Sequence, residues 1–206
     1  EILAKHFGIP IERIAALRQV HGGAVREIVS ESDALRTREW DGDALITDRP
    51  GLALSVRTAD CVPVLIWDIR RRAIGAVHAG WRGSMEAIAQ KTVQALKTRY
   101  GCRPEDLSAA IGPAAGVCCY EVDGPVLRPL RERFGFWREI VREKGADRGM
   151  LDLIEWNIRQ LAESGLSSGK IRAADLCTIC HPEHFPSYRR DGSAGGGMIS
   201  AIMIPE

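Results

Sequence analysis

Short apolar runs, separated by glycine, proline and charged residues, fill the first half of the chain and predict a succession of β-strands. The clearest runs are ALIT (44–47), LALSVR (52–57), VPVLIWD (62–68) and AIGAVHA (73–79). Before them, LRQV and AVREIV flank a glycine break at residues 21–23, which predicts two further strands. Three arginines at 70–72 predict a solvated hairpin turn. Later strand predictions are LSAAIGP (107–113), KIRAADLCT (170–178) and GGGMISAIMIP (195–205).

Helical periodicity first appears after the strand predicted at residues 73–79. Apolar residues recur at helical spacing from Met85 to Tyr100, which predicts a helix with Ser84 as its N-cap and Gly101 as its end. Further helices are predicted over residues 124–134 and 152–163. Because most strands follow one another directly, the order of elements favours an α+β fold with mixed or antiparallel sheets flanked by helices.

The chain length and composition indicate one ordinary globular domain, spanning residues 1–206. Apolar residues make up 45% of the chain, charged residues make up 27%, and the formal net charge is +1. No basic field would attract nucleic acid, and the apolar runs are too short to span a bilayer. We therefore expect a cytoplasmic protein that binds neither nucleic acid nor membranes. The opening EILAKHFGIP reads as the tail of a helix, so we also expect an N-terminal portion to precede it.

Three potential metal ligands lie at the ends of predicted strands: His21, Cys61 and His78. Each has small residues nearby, which let the backbone approach a ligand closely. Imidazole and thiolate suit zinc, and three protein ligands leave its fourth position open, as in catalytic zinc sites. The spacing alone favours the alternative of one buried thiol and two hydrogen-bonded histidines, because a free cysteine is more often simply buried.

Charged residues beside these three offer further chemistry. Asp60 can orient a metal ligand or substrate, or it can cap a turn. Arg57 and Arg82 are candidates for binding phosphate or carboxylate, although surface pairing with acidic residues is the commoner use of an arginine.

The six cysteines are more typical of free and metal-binding thiols than of a disulfide scaffold. Cys177 to His181 matches the c-type haem motif C-x-x-C-H, and Cys177, Cys180, His181 and His184 could ligate a second zinc. The short spacing departs from that of zinc fingers, so we interpret this segment as a loop lining the site. The adjacent pair at 118–119 is predicted to alternate on a strand, with one thiol in the core and one at its rim.

The chain resembles a known family in six segments, in this order along the sequence: RQVHGGAV, DALITDRPGLALSVRTADCVPVLIWD, GAVHAGWRGS, AAIGPAAGVCCYEV, DLCT and FPSYRRDG. They resemble the laccase-domain family, formerly labelled polyphenol oxidase, whose members are now described as purine nucleoside phosphorylases. The resemblance covers about Arg18 to Ile202, and TADC followed by VPV, together with HAGWRG, are its most specific blocks.

This resemblance implies a single α+β domain related in fold to the catalytic domain of cytotoxic necrotizing factors. It also implies a catalytic zinc held by His21 in QVHG, Cys61 in TADC and His78 in HAGWRG. The implied reaction is phosphorolysis of adenosine, inosine and methylthioadenosine, with a side activity that deaminates adenosine. Purine nucleoside and phosphate are then the expected partners.

Roles for the neighbouring side chains follow as hypotheses. Arg57 or Arg82 would position phosphate, and Asp60 would handle a proton or contact the ribose. Tyr188 and Arg189 would form the rim of the pocket, where stacking on a base and a structural role in the loop remain equal alternatives.

Two departures from the family pattern bear on these expectations. The T-R-x-G-G-like segment of the N-terminal portion is absent, and residues 193–198 read SAGGGM where Gly-Arg is common. Three other functions remain open: a copper-dependent phenol oxidase, a hydrolase using Cys61 and His78, and a non-catalytic metal-binding domain.

Overall fold

Twelve strands and eight α-helices make up the computed structural model, which describes residues 1–206. The strands are β1 Ile14–Ala16, β2 Val25–Glu27, β3 Ala44–Thr47, β4 Ala53–Thr58, β5 Val62–Asp68, β6 Ala73–Ala79, β7 Ser108–Ile111, β8 Glu121–Asp123, β9 Val141–Glu143, β10 Arg148–Leu151, β11 Ile171–Ala173 and β12 Met198–Met203. The helices are α1 Ile2–Phe7, α2 Glu31–Arg36, α3 Trp81–Met85, α4 Ile88–Tyr100, α5 Gly124–Arg133, α6 Trp137–Ile140, α7 Leu153–Glu163 and α8 Tyr188–Asp191. The strand and helix order confirms the predicted α+β class.

A six-stranded sheet in the order β11-β7-β5-β6-β3-β2 forms the centre of the molecule. Its inner strands pair antiparallel, whereas β2 with β3 and β11 with β7 pair parallel, so the sheet is mixed as predicted. Helices α4 and α7 pack on one face, and the three-stranded sheet β1-β4-β12 packs on the other. Side chains therefore alternate between two cores: Ile46 and Val77 contribute to one, and Leu45 and Ala76 to the other.

The helix predicted from Ser84 to Gly101 is divided in two. Ala87 adopts a left-handed backbone, with φ of 58°, and separates α3 from α4. The prediction of Ser84 as an N-cap is therefore wrong, because Ser84 is buried inside α3 and its hydroxyl accepts a hydrogen bond from Asn157 Nδ2 at 2.9 Å. Gly101 ends α4 in the left-handed conformation, as predicted.

The strand predicted at LRQV (17–20) is wrong, because only Arg18 there makes an isolated bridge and β1 lies before it. The sheet β8-β10-β9 was not predicted from the sequence. The later helices follow the sequence pattern closely. Helices α5 and α7 lie where the periodicity places them, and Asp152 caps α7 by accepting a hydrogen bond from the Glu155 N–H at 2.9 Å. Strand β11 is shorter than predicted, because the chain leaves the sheet after Ala173. None of the helices combines the length and the apolar character needed to cross a membrane.

Candidate metal centre

The register of the central sheet brings His78 next to Cys61. Strands β5 and β6 are antiparallel, with Val62 opposite Ala79, so Cys61, directly before β5, lies beside His78 near the end of β6. His21 approaches from the loop between β1 and β2. The potential ligand atoms of the three residues all lie within 4.8 Å of one another.

The local backbone is shaped for this convergence. His21 and Asp60 both have positive φ, of 61° and 82°, an uncommon conformation for residues other than glycine. Gly80 lies directly against the ligands, because a Cβ there would be 2.9 Å from Cys61 Sγ and 3.3 Å from His21 Cδ2. Only glycine leaves room for the three side chains at this point.

A buried carboxylate that we did not identify from the sequence holds the site together. Asp43, which is fully buried, lies 2.8 Å from His78 Nδ1 and accepts hydrogen bonds from the backbone N–H groups of His21 at 2.9 Å and Gly22 at 2.7 Å. A carboxylate on Nδ1 fixes the ring and leaves Nε2 for a metal ion. An aspartate directly before the fully buried strand ALIT was the available sequence signal.

The same contacts set the protonation of the ligands. Burial raises the pKa of Cys61, but hydrogen bonds and charge from His21 and His78 outweigh this and lower it to about 7. Burial lowers the pKa of His78, whereas Asp43 and Cys61 raise it to about 9. With these pKa values, a thiolate next to an imidazolium predominates between about pH 7 and about pH 9, so the sulfur is in its metal-binding form across that range.

This donor set fits a metal ion. Two imidazoles and one thiolate suit zinc, and they suit copper as well. Three ligands leave a fourth position free for water or substrate, which distinguishes catalytic from structural zinc sites. The Asp43 carboxylate on His78 Nδ1 is a further feature expected beside a metal-binding histidine.

The potential ligands lie in a cleft of about 850 Å³, a size typical of small-molecule sites. All eight residues singled out from the sequence line it: His21, Arg57, Asp60, Cys61, His78, Arg82, Tyr188 and Arg189. Tyr120 and Trp81 line it too, and the Arg82 guanidinium stacks 4.2 Å from the centre of the Trp81 ring. Tyr188 is 65% exposed, which matches its predicted place at the rim.

The carboxylate of Asp60 is already engaged by three donors. It accepts hydrogen bonds from Thr178 Oγ1 at 2.6 Å, Ser187 Oγ at 3.0 Å and the Arg189 N–H at 2.6 Å. These bonds tie two distant segments to the turn that carries Cys61. The Arg189 guanidinium is also partly occupied, because it donates to the carbonyl of Glu121 at 3.0 Å.

The cysteine-rich segments differ from their prediction. Residues 118–119 lie in a turn rather than on a strand, so both thiols reach the same side and meet Cys177 and Cys180 within 4.8 Å. Residues 177–184 do not line the cleft, so their interpretation as a lining loop is wrong; they support it through Thr178. His181 and His184 instead lie near Glu183, at 3.3 and 3.7 Å.

Comparison with known proteins identifies the family of the chain. The family model described as "Multi-copper polyphenol oxidoreductase laccase" matches residues 1–205. The chain belongs to this laccase family. A family member from Bacteroides thetaiotaomicron, named purine nucleoside phosphorylase, is 39% identical over 163 residues, covering 79% of this chain and 60% of its own length. The chain thus spans less than two thirds of that relative.

Other laccase-family members match over nearly the whole chain. Purine nucleoside phosphorylase YlmD of Geobacillus stearothermophilus is 34% identical over 206 residues, covering 97% of this chain and 75% of its own. The crystal structure of YlmD from the same organism superposes with a TM-score of 0.91, covering 100% of this chain and 78% of that one. A Bacillus licheniformis protein, YfiH, also gives 0.91. The relation to cytotoxic necrotizing factors stays a prediction.

Proposed function

We propose that this protein is a zinc-dependent purine nucleoside phosphorylase. The observation that carries the proposal is the convergence of His21, Cys61 and His78, backed by buried Asp43, inside a cleft large enough for a nucleoside. The names of the relatives in two organisms support the same reaction. Purine nucleosides and phosphate are then the substrates, with adenosine, inosine and methylthioadenosine as the specific nucleosides.

The three ligands would hold zinc, with Asp43 keeping the His78 ring in its ligand tautomer. When bound there, zinc would act as a Lewis acid: it would polarise a coordinated oxygen or nitrogen atom and stabilise developing negative charge. The protein lowers the pKa of Cys61 to about 7, which favours the metal-binding thiolate, and it keeps the potential ligand atoms within 4.8 Å of one another.

Arg57 and Arg82 would bind the attacking phosphate. In phosphorolysis a phosphate oxygen forms a bond to C1′ of the ribose while the bond from C1′ to the purine nitrogen breaks, giving ribose 1-phosphate and the free base. A guanidinium can hold two phosphate oxygens at once and fix the direction of attack. Stacking on Trp81 restrains the Arg82 side chain in the cleft, which reduces the entropy lost on binding.

The nucleobase would lie near the aromatic side of the cleft. Tyr188 and Tyr120 offer ring faces for stacking, and Arg189 lies 5.1 Å from the centre of the Tyr120 ring. Asp60 remains our candidate for handling a proton or binding the ribose. Its three hydrogen bonds also suit a positioning role. Asp60→Asn separates the two, because loss of proton transfer lowers kcat and changes its pH profile, whereas loss of positioning leaves that profile intact.

Chromatography of inosine incubated with and without phosphate tests the proposal. We expect hypoxanthine and ribose 1-phosphate only when phosphate is present. Zinc-loaded protein that leaves inosine, adenosine and methylthioadenosine unchanged would contradict the proposal and favour a non-catalytic metal-binding domain.

A deaminase side activity is the finer part of the proposal. Deamination replaces the C6 amino group of adenosine by oxygen from water, so it needs no phosphate and releases ammonia. Adenosine converted to inosine in phosphate-free buffer would support it. Absence of inosine and ammonia in that buffer would remove the deaminase activity while leaving phosphorolysis in place.

Copper-dependent phenol oxidation is a second candidate, favoured by the family description and by a donor set that copper also accepts. Reduction of oxygen by four electrons calls for several coupled copper ions and more histidines than the two in this cleft. Metal analysis and oxygen uptake with a phenol separate the two functions.

A Cys61–His78 hydrolase is a third candidate, because the pKa of Cys61 is lowered to about 7. A nucleophilic thiolate reacts with alkylating agents, whereas a metal-bound one is protected. Stoichiometric alkylation of Cys61 in zinc-loaded protein would favour the hydrolase.

A further inference from the structure

Four cysteine sulfurs meet behind one wall of the cleft. Cys118 and Cys119 lie in the turn before β8, and Cys177 and Cys180 lie in the turn that follows β11. Their sulfur atoms are all within 4.8 Å of one another, and the proposed reaction uses none of them. We propose that these four cysteines bind a second, structural metal ion, a single divalent cation of the zinc type in tetrahedral coordination.

The sulfur spacing fits a single ion. Zinc–sulfur bonds of about 2.3 Å place the corners of a tetrahedron about 3.8 Å apart. Cys180 Sγ lies 3.4 Å from Cys118 Sγ and 3.2 Å from Cys119 Sγ, and no pair in the group exceeds 4.8 Å. The observed spacing brackets the required one, so small side-chain rotations suffice. An iron–sulfur cluster has a body of several atoms and would hold the four sulfurs farther apart.

The backbone arranges the two turns before any ion binds. The Ala114 N–H donates to the Leu176 carbonyl at 3.2 Å, and the Thr178 N–H donates to the Ala114 carbonyl at 2.9 Å. Gly116 gives the cysteines room, since a Cβ there would lie 3.1 Å from Cys177 Cβ and 3.3 Å from Cys118 Sγ. This is the same arrangement that Gly80 provides in the cleft.

Hydrogen-bond donors also point at the most buried sulfur. The Gly116 N–H donates to Cys177 Sγ at 3.3 Å. Donors of this kind stabilise a metal-bound thiolate, because they share its negative charge.

The four-cysteine group is linked to the cleft by two direct connections. Thr178, between Cys177 and Cys180, donates its hydroxyl proton to Asp60 Oδ1 at 2.6 Å. Tyr120 follows Cys119 directly and lines the cleft. An ion joining the two turns would therefore fix the wall that carries Asp60 and Tyr120. With four protein ligands it has no open position, so its role is structural.

Counting the metal ions bound to variants that lack one or both groups of ligands tests the inference. Reduced protein is purified with zinc and analysed by mass spectrometry. We expect about two zinc equivalents in the wild type, about one in Cys61→Ala, about one in Cys118→Ser/Cys180→Ser, and none in the triple variant. Cys102→Ala is the matched control, because Cys102 belongs to neither group and should keep both ions.

Cobalt substitution identifies the ligands independently of activity. Cobalt-loaded Cys61→Ala should keep a strong sulfur-to-metal charge-transfer band of four thiolates, which Cys118→Ser/Cys180→Ser abolishes. One zinc equivalent in the wild type, lost entirely in Cys61→Ala, would overturn the inference, as would a disulfide that persists with zinc present. If the double variant fails to fold, the comparison of wild type with Cys61→Ala still decides. None of these readouts depends on phosphorolysis.

Discussion

The two groups of potential metal ligands differ in composition and surroundings. The cleft group combines two imidazoles and one thiolate, and a buried carboxylate, Asp43, holds one imidazole from behind. The second group offers four thiols, receives a backbone N–H from Gly116, and lies outside the cleft lining. Three ligands leave room for a substrate, whereas four complete a tetrahedral shell. We therefore propose that the cleft group is a site for chemistry and the four-cysteine group a site for structure.

The largest effect should follow removal of the cleft thiolate. Cys61→Ala should lose one metal equivalent and about a thousandfold of phosphorolytic activity, because a catalytic metal lowers the activation barrier by several kcal/mol. Steady-state kinetics and metal analysis of the same sample measure both. Cys102→Ala, a buried cysteine outside both groups, is the control. Wild-type activity in Cys61→Ala that has lost this one metal equivalent would contradict the metal mechanism.

The two groups should also differ in how metal binding depends on pH. Between the Cys61 pKa of about 7 and the His78 pKa of about 9, the cleft holds a thiolate and an imidazolium, so zinc must displace one proton. Zinc affinity should rise about tenfold per pH unit, about a hundredfold across this window, and level off above pH 9.

The four-cysteine group should behave otherwise. A hydrogen bond to Cys180 raises the pKa of Cys119 to about 11, so zinc binding there should continue to strengthen above pH 9. Competition with a chromophoric chelator measures zinc affinity against pH for each group separately, in Cys61→Ala and in Cys118→Ser/Cys180→Ser. Identical profiles would contradict the assignment of different ligands to the two ions.

Asp43→Asn should weaken the cleft site alone. Replacing a carboxylate that orients a metal-binding histidine reduces metal affinity about 10- to 100-fold. The four-cysteine group should keep its ion, because Asp43 makes its contacts at residues 20–22 and His78. Asp41→Asn is the matched control, since Asp41 pairs with Arg18 at the surface. Equal zinc affinity in the two variants would contradict the role of Asp43 in orienting His78.

Substitution of Gly80 and Gly116 should give the smallest change in zinc affinity, and each change should be confined to one group. Gly80→Ala places a methyl group 2.9 Å from Cys61 Sγ, and Gly116→Ala places one 3.1 Å from Cys177 Cβ. Each should lower zinc affinity at its own group by about tenfold, a typical cost of overpacking, and leave the other unchanged. Each variant therefore serves as control for the other, and isothermal titration resolves the two affinities.

The sequence specified the cleft more completely than the second group, for physical reasons. Strands β3, β5 and β6 begin and end where their apolar runs do, and their register alone brings Cys61 to His78. Each predicted cleft residue also lies within a short continuous motif, such as TADC or HAGWRG, that can be recognised without knowing the fold. The break at Ala87 was missed because the apolar periodicity continues past it.

Asp43 and the four-cysteine group could not be read from local pattern, because their partners are distant along the chain. Asp43 contacts His78 across paired strands, and its identity as an orienting carboxylate depends on that pairing. Cys118 and Cys180 are 62 residues apart and meet only because two turns pair through Ala114. Reading 118–119 as a strand separated two thiols that a turn brings together.

Zinc K-edge absorption of the two variants that each keep one metal site tests the distinction between an open and a closed site most directly. In Cys118→Ser/Cys180→Ser, we expect zinc with one sulfur and two imidazole ligands. A fourth ligand, an oxygen or nitrogen atom, should be exchanged when phosphate and inosine are added, and the spectrum should change with it. In Cys61→Ala, we expect four sulfur ligands and a spectrum that substrates leave unchanged. A cleft spectrum insensitive to both substrates, or a Cys61→Ala spectrum without four sulfurs, would contradict the account.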